Sequence, residues 1–367
     1  MGEIRRFEEE HIPEVAALEL KVFHGRREKA GPALEQYFAE IFFRNPWRGY
    51  DLPSLVYLHG GRIVAFVGVV PRPMKFNGRE ILVGVASQLI ADTEAFRGFA
   101  GVDLAKHFLD GPQDLSFTDG ATEAGCAVWT AMGAKVARLN SLEWLRVLRP
   151  ARYFQGKLSQ HRKAGVRVLA PVVFPACWLA DAALSRLPLH ALSSPVTELR
   201  GEPASAEELL RCMNEIGWRD ALTPSYDPAS FQWLLSQAAS ARNRGELRTV
   251  VVCDQGGARV GWYVYYAKRG GVFIVLQIGA AASRMEDVLL DLCRDAWAQG
   301  AVAVRGRVRP RHLLDFYRGH CSFHYPGNGV LVHSRDPQLM ACVLQGEAAL
   351  TRLDGEWWMR FADTDWS

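Results

Sequence analysis

The chain lacks the signatures of several common chemistries. It has no Cys-x-x-Cys pair. Its seven cysteines (Cys126, Cys177, Cys212, Cys253, Cys293, Cys321 and Cys342) are scattered through 367 residues, which speaks against a zinc ribbon or a thioredoxin-like centre and fits free thiols in a reducing compartment. No His-x-x-x-His occurs, and His312, His320, His324 and His333 are dispersed, so no metal site is expected. There is no Gly-x-Ser-x-Gly elbow for a serine nucleophile and no three-glycine dinucleotide fingerprint. Neither sign of charge dominates: 43 Lys and Arg stand against 40 Asp and Glu, a net +3. Without a global basic field, nucleic acid is not an expected partner. Long hydrophobic runs are missing too. The most apolar stretch, 168–180, is about 13 residues long and is broken by Pro171 and Pro175, too short to span a bilayer. The opening MGEIRRFEEE is acidic where a signal peptide needs an apolar centre, so a cytoplasmic location is expected.

What is present is ordinary globular material, 49% hydrophobic and 23% charged, enough for two or three domains at about 150 residues each. Elements alternate in type. Helical spacing runs through 11–23 and 32–44, and three strands follow at 54–59, 62–70 and 80–91, separated by Gly60-Gly61 and Asn77-Gly78, both hairpin dipeptides. A helix at 102–109, a strand at 115–118, a helix at 123–132 and one or two strands over 135–148 complete an α/β pattern around a mixed sheet.

The same succession returns after residue 196: a strand at 197–200, helices at 206–216 and 228–239, strands at 247–253, 259–267 and 271–278, a helix at 285–297 and a strand at 301–308. A short helix at 312–317, a strand at 330–333, and a tail with a helix and an aromatic strand over 353–361 follow. Residue identity is not repeated, but the order is. Two similarly folded halves are expected, 1–149 and 196–367, joined by a connector at 150–195. That connector carries Lys157, Arg162, Lys163 and Arg167 and could steer an anionic partner such as an acyl carrier protein. Arg305, Arg307, Arg309 and Arg311 alternate along and just beyond the strand at 301–308, as a positive stripe would.

The most informative segment is QLIADTEAFRGFAGVDLAKHFL, residues 88–109. A strand ends, small residues turn the chain, and a helix begins. Its first amides and its dipole offer a seat to an anion. A strand and then DGATEAGCAVWTAMGA, residues 119–134, come next. Together these segments resemble the GNAT (Gcn5-related N-acetyltransferase) superfamily, whose pattern is strand, Arg/Gln-x-x-Gly-x-Gly/Ala, helix, strand, then Asn-x-x-Ala-x-x-x-Tyr-x-x-x-Gly-Phe. The element order of residues 3–149 is similar to that fold.

The resemblance implies two GNAT-like domains of α/β class, each a mixed, mostly antiparallel sheet flanked by helices. It implies an acetyl-CoA or other acyl-CoA co-substrate and an amine acceptor on a small molecule or peptide. Leu89, Ile90 and Ala91 would lie along pantetheine. Arg97, Gly98, Phe99, Ala100, Gly101 and Val102 would hold the pyrophosphate. Thr122 stands where the family often has Asn, and Trp129 where it often has Tyr; an indole N–H is a poor proton donor to a departing thiolate. A base is needed for the attacking ammonium, and Asp119, Glu123 and Glu143 are the candidates, with Asp92 also in the segment. The second half has no comparable glycine loop, and Glu286 and Asp287 open its helix, so it reads as a degenerate copy. Two alternatives stay open: a Fem-type aminoacyl-tRNA-dependent transferase, also built from two GNAT-like halves, and a non-catalytic acyl-CoA-binding module.

Overall fold

The computed structural model describes residues 2–25, 30–94, 98–160, 177, 179–181, 197–326 and 329–359. They form two compact units, 1–141 with 219–243 and 326–367, and 142–218 with 244–325. Each unit is built on its own sheet.

The first unit opens with β1 (Gly2–Arg6), α1 (Ile12–His24) and α2 (Pro32–Phe38). Then come β2 (Leu55–His59), β3 (Arg62–Phe76) and β4 (Arg79–Ala91). Gly60 and Gly61 take φ +58° and +78°, and Asn77 and Gly78 take +50° and +82°. Positive φ at both central residues is what a two-residue hairpin requires, and this is why those dipeptides are legible in the sequence. β3 extends six residues beyond the expected end at Val70, through Pro71 and Pro73. Those prolines are tolerated because β2 stops pairing at Val67 and β9 (Leu222–Pro224) begins only at Met74. The missing N–H groups thus face a stretch of edge with no strand ladder.

α3 (Ala100–Leu109), β5 (Leu115–Thr118), α4 (Glu123–Ala131) and β6 (Lys135–Val136) follow. One face of the sheet carries a cluster of Phe7, Phe38, Phe42 and Phe66, with centroids 4.9–6.3 Å apart. The other packs Val69, Ala86, Phe108, Leu109 and Trp129 together. Burial of these aromatic and aliphatic surfaces, at about 25 cal/mol per Å², is the main stabilising contribution.

The last strand of each sheet is exchanged. A short helix α5 (Arg138–Ser141) turns the chain into β7 (Glu143–Val147), which pairs in the second sheet between β13 (Ala303–Arg307) and β14 (Ser322–His324). In return β15 (Leu331–His333) inserts between β5 and β6 of the first sheet. Both units are therefore discontinuous, whereas the sequence divided the chain into continuous segments. A five-residue strand carries an alternating pattern but nothing that says which sheet it joins. The connector expected over 150–195 lies largely outside the described residues, apart from α6 (Pro150–Gln160); its run at 161–176 is among those not described.

The second unit adds β8 (Arg200–Pro203), α7 (Ala206–Ile216), β10 (Glu246–Cys253), β11 (Arg259–Ala267), β12 (Val272–Ala280), α9 (Met285–Ala298) and α10 (Leu313–Arg318); α8 (Pro228–Ser240) and α11 (Pro337–Leu344) return to the first. Its sheet order is β14-β7-β13-β12-β11-β10-β8, against β1-β2-β3-β4-β5-β15-β6 in the first. Among the described residues each sheet holds one parallel strand pair, β4 with β5 and β12 with β13. Trp144 stacks on Phe316 at 5.2 Å and lies over Gly306, where a Cβ would sit 2.9 Å from the indole. The aromatic strand expected over 353–361 is instead a series of turns as far as Met359, held by hydrogen bonds such as Asp354 N–H to Thr351 C=O at 3.2 Å and Met359 N–H to Glu356 C=O at 2.9 Å.

Candidate functional site

The parallel pair of the first sheet is where the chain opens. β4 and β5 are paired only over Val83–Val85 and Leu115–Phe117, yet β4 continues to Ala91. Among the described residues, 86–91 therefore have no strand partner on the β5 side, and the two strands form a fork. A β-bulge lies on the longer arm: Phe66 faces Ile90 and Gly68 faces Ser87, so Gln88 and Leu89 together oppose Val67. Gln88 takes φ +53°. Bulges of this kind bend a strand and re-aim its polar groups, and here the bend is at the fork.

α3 starts beside the tip of the same arm. Its N-cap, Phe99, makes no side-chain cap. The amides of Gly98, Phe99, Ala100, Gly101 and Val102 find no acceptor among the described residues, and the first internal bond is Asp103 N–H to Phe99 C=O. Gly101 stands against the end of β4, where an added Cβ would lie 3.2 Å from the Ala91 Cβ. A side chain there would push the helix off the strand. Ala100 is a core residue, Gly98 is exposed, and the Phe99 ring is 75% exposed at the rim. Arg97 lies outside the described residues.

The remaining expected site residues are dispersed. Thr122 caps α4, accepting a hydrogen bond from Gly125 N–H at 3.2 Å, and Glu123 beside it is exposed. Trp129 is buried in the core, 5.7 Å from the Phe108 ring. Asp119 is buried, and its Oδ1 accepts from the amides of Glu356 (2.8 Å) and Trp357 (3.0 Å). Gly355 fits above it because a Cβ there would fall 2.4 Å from the carboxylate. Asp119 thus clamps the turn at 355–357. Asp92 pairs with Lys21 at the end of β4. Glu143 belongs to the second unit, on β7, 3.4 Å from His324 Nε2.

Other residues that the sequence did not single out converge near the fork. Tyr37, on α2, accepts a hydrogen bond from Gln88 Nε2 at 2.9 Å and donates one to the Met359 carbonyl. At the end of β5, the Thr118 hydroxyl donates to the buried carboxylate of Glu356. Nothing in the local sequence links positions 37 and 88, or 118 and 356; only the fold joins them. Further along the Gly68–Ser87 face, Arg72 is buried over the Trp47 ring, 3.9 Å from its centroid. Burial pulls its guanidinium down to about 10, with the charge of Asp354 acting the other way.

The second sheet has the same fork and a bulge. β12 pairs with β13 only over Val272–Val275, and Leu276 is the extra residue opposite β11. Here the open edge is occupied. Arg309 sends Nη1 to the Ile278 carbonyl at 3.4 Å, its guanidinium lies 5.0 Å from the Trp218 ring, and Trp218 packs edge-on to Trp262 at 5.4 Å. The first turn of α9 carries Glu286 and Asp287, the latter bonded to Arg284 Nε at 2.7 Å. Arg309 therefore belongs to a packed cluster, and of the expected basic stripe only Arg311 is exposed.

Among the described residues no group of three or more His, Cys, Asp and Glu could hold a metal ion, and no helix is long and apolar enough to cross a membrane. A scan of the sequence against protein-family models and a search of curated proteins both return no match. Solved structures do match. A conserved Enterococcus faecalis V583 protein of unknown function, described as a probable N-acyltransferase, is 10% identical with a TM-score of 0.59, over 91% of this chain and 73% of that one. A GCN5-related N-acetyltransferase from Anabaena variabilis is 11% identical with a TM-score of 0.56, over 90% and 72%. One from Kribbella flavida is 13% identical with a TM-score of 0.55, over 90% and 70%. The two mixed, mostly antiparallel sheets flanked by helices are thus the fold of the GCN5-related N-acetyltransferases, as the order of elements along the sequence had led us to expect.

Proposed function

We propose that the protein is an acyl-CoA-dependent N-acyltransferase that moves an acetyl or other acyl group to an amine of a small molecule or peptide, with the fork of the first unit as its working site. The observation that carries this is the fork itself: six residues of β4 running past the last pair with β5, beside a helix whose first amides have no acceptor among the described residues. Leu89, Ile90 and Ala91 would lie along pantetheine. The amides from Gly98 to Val102 would take the diphosphate, helped by the helix dipole. The chemistry asked of the protein is alignment of thioester and amine and main-chain stabilisation of the oxyanion.

Trp129 is a core residue, so the proton for the departing thiolate comes from elsewhere. Tyr37, held by Gln88 at the bulge, is the hydroxyl we assign to it. Glu356, bonded to the Thr118 hydroxyl at the end of β5, is the carboxylate we assign to the ammonium proton. The second unit serves as scaffold, since Arg309 fills its fork.

The test is mass spectrometry of the purified chain for co-purifying CoA thioesters, thermal unfolding with and without acetyl-CoA, and thiol release over an amine panel. Acetyl-CoA at about 100 times its Kd stabilises by about 2.7 kcal/mol. Absence of any shift with short and long acyl-CoA would overturn the assignment.

A further inference from the structure

Within the first unit, a group of buried donors faces no acceptor. Arg72 is only 3% exposed, and among the described residues none of its Nε, Nη1 and Nη2 finds a hydrogen-bond partner. The Trp47 ring under it is edge-on to Trp233, with centroids 5.6 Å apart. Both indole Nε1 atoms are also buried without an acceptor. A guanidinium offers five donor hydrogens and each indole one, and none of these groups can accept. An unmet buried donor gives up its hydration without a return, so three such side chains together are unfavourable unless something with oxygens meets them.

The charge in the vicinity does not fill this role. Asp354 acts on Arg72 through its field but does not accept a hydrogen bond from it: Oδ1 accepts from the Tyr226 hydroxyl and Oδ2 from the Thr351 hydroxyl, both at 2.5 Å. Arg72 has a field partner and no hydrogen-bond partner. A carboxylate matches the unmet set. It presents only acceptors, fits the guanidinium fork with two parallel bonds, and brings a single negative charge. A phosphate dianion would add a second negative charge beside Asp354.

The register places this group on the fork's own sheet. Arg72 faces Val83, and Val70 faces Val85, the last β4 residue paired to β5. Arg72 is thus two residues, about 7 Å along the strand, from where the arms part. Resting on the transferase function above, we infer that the acceptor amine carries a carboxylate, several bonds from its nitrogen, which is held by Arg72, Trp47 and Trp233.

The test uses the full chain with 15N-labelled indoles and no CoA, so that its failure is separate from failure of the transferase assignment. The probes are 6-aminohexanoate, its carboxamide and inorganic phosphate, and Trp47→Phe and Trp233→Phe assign the two signals. The expected result is movement of both indole N–H resonances with 6-aminohexanoate alone, loss of that movement in Arg72→Met, and about tenfold weaker binding in Arg72→Lys, which keeps the charge and loses the fork. Should Arg72→Met not fold, Trp233→Phe, read at the Trp47 signal, carries the test, with about tenfold weaker binding expected. No movement, equal movement with the carboxamide or phosphate, or undiminished binding in the variants overturns the inference.

Discussion

Substituting Gly101 probes the seat at the start of α3 most directly. The site for a Cβ lies 3.2 Å from the Ala91 Cβ, inside the usual carbon–carbon separation of about 3.5–4.0 Å. Gly101→Ala therefore asks the helix to give by a few tenths of an ångström. Gly101→Asp asks for more, and overpacking of this kind costs about 1–3 kcal/mol, partly offset by about 0.3–1 kcal/mol from an acidic side chain in a first helical turn. The free variant should fold. Its carboxylate would stand about 5 Å from a diphosphate on the first-turn amides, and at an effective dielectric of about 20 that repulsion is about 3 kcal/mol. Such a loss is roughly 150-fold in Kd. At the acetyl-CoA concentration that stabilises the parent by about 2.7 kcal/mol, the variant should gain only about 0.3 kcal/mol. Thermal unfolding of parent, Gly101→Ala and Gly101→Asp with and without acetyl-CoA reads this, the alanine variant keeping most of its shift. A Gly101→Asp protein with the parental shift would refute the assignment of the loop.

Three further outcomes are expected. Asp119→Ala leaves one buried and one half-buried amide without their acceptor, about 1–3 kcal/mol for the buried one, while Asp119→Asn keeps an oxygen for both; urea unfolding should separate the two variants by at least that amount, and an Asp119→Asn protein that is stable yet inactive would restore Asp119 as the base. Asp291, fully buried beneath Tyr263 and Arg294, has its carboxyl pushed up chiefly by burial. The folded chain then holds that proton to higher pH than the unfolded one, so the stability it contributes is lost as pH rises from the unfolded value of about 4 through the raised folded pKa; the urea midpoint of Asp291→Asn should gain on the parent's as pH rises above about 4, and a pH-independent difference would contradict this. Titration calorimetry should find one acetyl-CoA per chain, because Arg309 closes the second fork; two equivalents would show that it does not.

Much of the site's frame was legible. The glycine hairpins at 60–61 and 77–78, the strand–turn–helix at 88–109 and the repeated order of elements are local or periodic signals, and each corresponds to an element of the structure. The side chains around the fork were not legible. Trp129 occupies a position that the family pattern associates with the cofactor, yet the packing of α4 on α3 turns it into core. Asp119 sits where a strand ends, a position suited to a catalytic base, but the fold brings 355–357 onto it.

What the sequence alone determined was composition, element type, the turns and the duplication of an α/β order, because these depend on residues near one another in the chain. Tertiary structure decided which sheet β7 and β15 join, where β4 and β5 part, and which distant groups meet: Tyr37 with Gln88, Thr118 with Glu356, Arg72 with Trp47. Strand pairing and burial between residues separated by tens to hundreds of positions follow from the packing of the whole unit, and a short alternating strand or a lone polar side chain carries no local mark of its partner.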